Sequence, residues 1–141
     1  MIFYLNPMAN QHQGPMVKIT PYRLFLLDGL GALLTVALLA GLVAPREAVF
    51  GMPSAVVYPL AIAVCGYAVY SLACSLLRPR RWRPWLRGIA AANAAYCVVT
   101  LAAVAWFYPQ MTTLGLAYFA VEAALLVGIA WFEWRFAAAA A

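Results

Sequence analysis

Four apolar stretches, each long enough to cross a bilayer, fill most of this chain and leave it little choice of architecture. They cover residues 24–43, 56–77, 88–108 and 112–134. A hydrocarbon core of roughly 30 Å needs about 20 helical residues, and every stretch meets that length. The expected fold is therefore all-α: a four-helix transmembrane bundle in one domain, residues 22–136. A tail (1–21) precedes the bundle and a short alanine run (137–141) follows it. Composition agrees, with 67% hydrophobic and only 9% charged residues. A soluble core of this size has no room for so much apolar surface, so lipid must cover much of it.

Charge sets the expected topology. Lys18 and Arg23 precede the first span, Arg78, Arg80, Arg81, Arg83 and Arg87 lie between the second and third, and Arg135 follows the fourth. Arg46 alone falls on the other side, beside Glu47. This asymmetry predicts cytoplasmic termini and a cytoplasmic loop over residues 78–87. The net charge of +5 flanks spans and leaves no aromatic-basic surface for a nucleic acid, so the expected partners are the bilayer and its anionic lipids. Arg78, Arg80, Arg81, Trp82, Arg83, Trp85 and Arg87 suit the headgroup layer, where indole rings reside and guanidinium groups meet phosphates. The first span is too long for a cleaved signal sequence, and no small-residue cleavage site follows it.

Prolines and glycines punctuate the remainder. Pro7, Gly14, Pro15 and Pro21 are expected to break regular structure in the tail, where 1–5 is apolar and Met16-Val17-Lys18 has the look of a start. Residues 44–55 are expected to form a loop, with Pro53 suited to the first turn of the second helix and Pro59 to a ragged start or a kink. The short turn at 108–111 makes the last two helices an antiparallel hairpin. Cys65, Cys74 and Cys97 all fall inside spans, and the first two lie on opposite faces of one helix, so they read as packing residues.

Polar residues inside the spans recur at helical spacing: Asp28, Gly31 and Thr35; Tyr67, Tyr70, Ser71 and Cys74; Asn93, Tyr96, Cys97 and Thr100; Gly115, Tyr118 and Glu122. One such face per helix describes a bundle with its polar seam inward. Glu122 stands apart, about 15 Å from the nearer turn. A charge at that depth costs roughly 3 kcal/mol or more, and every basic residue lies at or beyond the span ends. Glu122 is thus expected to be a neutral acid bonded to Tyr67, Tyr96 or Thr100, to face water, or to meet a cation supplied from outside. Asp28 lies about one turn inside the interface, where Arg23 or Arg87 offers an ion pair and Asn93 a hydrogen bond. Glu133 reads as an interfacial residue at the end of the last helix.

The single histidine, His12, lies in the tail, so intramembrane haem ligation has no histidine pair. No metal-ligand cluster, nucleophilic triad, CxxC pair or phosphate loop occurs, and neither an enzyme nor a cofactor is expected. The segments 25–32, 51–53, 70–74, 93–97 and 114–122 resemble those of small bacterial four-span membrane proteins of no assigned function. That resemblance spans about residues 23–133 and implies a bacterial inner membrane without implying an activity. Two functional expectations remain. One is a non-catalytic accessory or scaffold subunit of a larger membrane complex, with other membrane subunits or a second copy as partner. The other is a small proton- or cation-coupled transporter or channel using Glu122, expected to need a homodimer because four helices enclose little volume.

Overall fold

A computed structural model describes residues 19–140. The expected tail features up to residue 18, His12 among them, lie outside these residues. The elements are helices α1 (Pro21–Leu38), α2 (Glu47–Phe50), α3 (Ser54–Leu77), α4 (Trp82–Trp106) and α5 (Thr113–Ala139). A π turn (Leu39–Val43) and a 3-10 turn (Ala44–Arg46) join α1 to α2, and a second 3-10 turn (Tyr108–Gln110) joins α4 to α5. Four helical segments are long and apolar enough to cross a membrane, the first running on from α1 through α2. The protein thus has the architecture of a multi-pass, all-α membrane protein.

The helices start and stop a few residues away from where the apolar runs do, for local reasons. Pro21 opens α1 instead of breaking it: at the first helical position its missing N–H has no intrahelical partner to lose. Residues 44–50, expected as loop, stay helical until Gly51, whose φ of 79° ends the segment at a conformation glycine adopts without strain. Only Gly51–Pro53 then links α2 to α3. Pro59 is accommodated inside α3. The arginine-rich loop shrinks as well, because Trp82–Arg87 form the first turns of α4, with Pro84 early enough to be tolerated. Finally, the alanine run continues α5 to Ala139, in keeping with the residue's high helix propensity, and Ala137 is fully buried.

Packing follows a two-plus-two plan. Helix α1 lies along α3, α4 lies along α5, and the pairs meet more sparsely through α3 and α4, while α1 and α5 make no substantial contact. The ends of α1, α3, α4 and α5 bearing Arg23, Arg78, Arg81 and Arg135 share one end of the bundle, where Leu24, Phe25, Cys74, Leu86, Ile89 and Ala137 form a small core. At this basic end Arg78 lies over Tyr22, Arg87 over Trp134 and Arg135 over Trp131, with guanidinium-to-ring distances of 5.3–5.6 Å. Trp82 packs on Phe136 and Trp85 on Tyr70. Part of the segment expected to meet headgroups therefore binds its own bundle; Arg80, Arg81 and Arg83 remain exposed.

A larger core built on Leu39, Val43, Phe50, Met52, Val57 and Phe119 fills the opposite half. There a clasp joins the two helix pairs. The Thr112 hydroxyl donates to the Val49 carbonyl (2.6 Å) and accepts from the Gly115 amide (3.0 Å), and the Thr112 amide donates to the Phe50 carbonyl (3.3 Å). Gly115 and Gly51 permit this approach. A Cβ on Gly115 would stand 1.9 Å from the Phe50 carbonyl oxygen, and one on Gly51 2.2 Å from that of Gln110. Joined at the clasp and by the small core at the basic end, the pairs leave a gap between α1 and α5.

Candidate functional site in the cleft between α1 and α5

That gap is a cleft of about 730 Å³. Its walls are the apolar faces of α1 and α5, including Leu27, Leu34, Val121 and Leu125, each more than half exposed. Its floor carries Tyr67 of α3 and Asn93 and Tyr96 of α4. Uneven pairing thus leaves an open cleft, not an enclosed cavity, along a single chain.

Three carboxylates line the cleft, Asp28 from α1 and Glu122 and Glu133 from α5. Among the described residues Arg23, at the basic mouth, is the one basic side chain that does so. The acids fall into two groups. Toward the basic end, the Asn93 side-chain amide donates to Asp28 Oδ1 (2.9 Å) and, at a longer 3.4 Å, to Glu133 Oε2. Ser71 Oγ, fully buried, donates to Asp28 Oδ2. The ion pair expected between Asp28 and Arg23 or Arg87 is replaced by these neutral donors, because α3 and α4 bring polar groups against Asp28 while the guanidinium of Arg87 turns to Trp134.

Deeper in the bundle, the Tyr96 hydroxyl donates to Glu122 Oε1 (3.2 Å). Tyr67 sits edge-on to Tyr96, ring centroids 6.3 Å apart, and supports it without bonding the acid. Tyr118, one turn before Glu122 on α5, also lines the cleft. Glu122 is nine-tenths buried, yet among the described residues its Oε2 has no hydrogen-bond partner. The buried Thr100 hydroxyl is likewise left unpartnered. Buried oxygens of this kind are uncommon and normally find a donor.

The cleft brings together Asp28, Asn93, Tyr67, Tyr96 and Glu122 from the sequence-derived set, while Thr100 lies behind it. Glu133 was the residue that depth alone misjudged. At 1% exposure it belongs to the site and not to the interface. The signal was available: Glu133 follows Glu122 by eleven positions, about three helical turns, which places both on one face. Ser71 stood in the polar stripe of its helix, but nothing in the sequence paired it with Asp28.

Among the described residues no three Asp, Glu, Cys or His side chains converge as metal ligands would. Chemically, the arrangement is an acidic, tyrosine-lined recess in an apolar wall, suited to holding a proton or an organic cation. Compared with known protein families, curated proteins and solved structures, the chain matches none. What its own geometry defines is an all-α bundle with four helices long and apolar enough to cross a membrane and an open acidic cleft between α1 and α5.

Proposed function

We propose that the protein is a small cation-coupled carrier of the bacterial inner membrane, with Glu122 as the site that takes up and releases the proton or cation. The supporting observation is the half-satisfied Glu122 carboxyl lining a cleft that one chain forms by itself. Tyr96 fixes one carboxyl oxygen, and the other is left for a proton or an incoming positive charge. Asp28 and Glu133, tethered through Asn93, lie between Glu122 and the basic end and mark a polar route toward it. The basic end is taken as cytoplasmic by the positive-inside rule.

The test is pH-driven flux into proteoliposomes reporting internal pH. Wild-type protein should dissipate an imposed pH gradient, and Glu122→Gln should abolish that activity while eluting normally on gel filtration. Equal flux from both proteins refutes the role given to Glu122.

A second reading is favoured by one observation. Only 17% of the α1 segment is buried within the bundle, the least of the four spans. A helix of another subunit seated along α1 and over the cleft would make the protein an accessory subunit without catalytic activity. Native mass after extraction in mild detergent separates the two readings: a stoichiometric larger assembly supports the accessory role, and a lone monomer or dimer supports the carrier.

A further inference from the structure

A proton needs no cleft of 730 Å³, and three features of this one point to a larger occupant. Its walls are aliphatic along most of their length, with Leu27, Leu34, Val121 and Leu125 largely exposed, and it opens between α1 and α5. Its polar groups fall at two levels: Asp28 and Glu133 are already bonded to Asn93, whereas at the deeper level Glu122 is joined by Tyr67, Tyr96 and Tyr118. Gly31 and Gly128 keep it wide: both line the cleft, and a Cβ on either would meet nothing within 4 Å.

Each feature constrains the ligand. Tyrosine rings beside a carboxyl favour an ammonium or other soft cation, which gains from ring faces as well as from the negative charge. A small, strongly hydrated inorganic cation would want several oxygen ligands converging on it, whereas among the described residues that line the cleft Glu122 is the one carboxylate beside the tyrosines. Apolar walls favour a hydrophobic body, since such pockets pair extensive apolar lining with a few placed polar groups. Glu122 Oε2, buried and without a hydrogen-bond partner among the described residues, supplies the acceptor once the side chain turns toward the cleft.

We propose that the cleft binds an amphiphilic organic cation, a single ammonium group on a long apolar body, which enters from the bilayer between α1 and α5. The head sits beside Glu122 under the tyrosines, and the body lies along the aliphatic walls. The inference rests on the carrier reading and gives its site a substrate class.

The probe is a fluorescent alkylated styrylpyridinium dye, titrated into nanodiscs of zwitterionic lipid with and without the protein. An uncharged and a sulfonated dye of the same length serve as comparisons. The cationic dye should bind saturably, about one per chain, at least tenfold more tightly than either comparison dye. Glu122→Gln should weaken it at least tenfold. Gly128→Leu, which fills the cleft without touching a carboxylate, should do the same. Because Gly128 has open space around it, this variant keeps a readout if Glu122→Gln misfolds. Equal binding of all three dyes, or unchanged cationic binding in Gly128→Leu, overturns the proposal, the first by pointing to simple lipid-like partitioning. Failure of dye binding with Glu122-dependent proton flux intact overturns this inference alone. Loss of neither flux nor binding in Glu122→Gln overturns the carrier reading as well.

Discussion

Replacing Asn93 by alanine should loosen the bundle out of proportion to one side chain, because this amide connects α1 to α5 across a cleft where the helices themselves do not meet. Two interhelical hydrogen bonds disappear, to Asp28 (2.9 Å) and Glu133 (3.4 Å). Such bonds within membranes average roughly 0.6 kcal/mol each, so their direct loss comes to about 1 kcal/mol. The larger part is what remains behind. Asp28 keeps Ser71 as donor, whereas Glu133, buried to 1% exposure, keeps none among the described residues. A buried polar group stripped of its partner costs roughly 1–3 kcal/mol, giving a total of about 2–4 kcal/mol. Reversible unfolding in mixed micelles with rising sodium dodecyl sulfate would measure it. A Glu133→Leu background should return most of that loss, since the stranded acid is then gone, leaving a coupling above about 0.5 kcal/mol. A loss under about 0.5 kcal/mol, or simple additivity with Glu133→Leu, would refute the bridging role.

The clasp and the helix ends yield three further tests. Gly115→Ala would set a methyl 1.9 Å from a backbone oxygen, so it should force the helix pairs apart at a cost of about 3 kcal/mol or more; a thermal midpoint equal to wild type would contradict that. Arg78 ends α3 with φ of 46°, a left-handed conformation that glycine adopts freely; Arg78→Gly relieves that strain but gives up the contact with the Tyr22 ring, so stability in the micelle unfolding assay should change by less than about 1 kcal/mol. With the basic end facing the cytoplasm, a cysteine at Arg81 should resist a membrane-impermeant maleimide in intact spheroplasts and react after lysis. One at Arg46 should react in both, and the reverse pattern would invert the orientation.

The sequence was most informative where a single element answers to lipid alone. Residues 24–43, 56–77, 88–108 and 112–134 had to be helices because their length and apolarity leave no other use, and each falls within a helical segment apart from a residue or two at the turn near 108–112. Helix ends were harder. Pro21, Trp82 and the closing alanines lie outside the apolar runs, where hydropathy is silent and the local demands of a first turn or of helix propensity decide.

The isolated depth of Glu122 was likewise legible, because the energetic penalty for a carboxylate in lipid follows from position along one helix. Whether that penalty is relieved, and by what, depends on neighbours from other helices, and those come from packing. Close approach at Gly29 lets α1 lie along α3, the clasp through Thr112 and Gly115 joins that pair to the other, and uneven packing opens the cleft. Only there do Ser71, Asn93 and Glu133 join Asp28, and Tyr96 join Glu122. The chain by itself determined four helices long and apolar enough to cross a membrane, a basic end and a buried acid, since these follow from transfer between water and lipid. The tertiary structure decided the two-plus-two pairing, the open face and the company each acid keeps, since these depend on side-chain shape and contact between residues far apart in sequence.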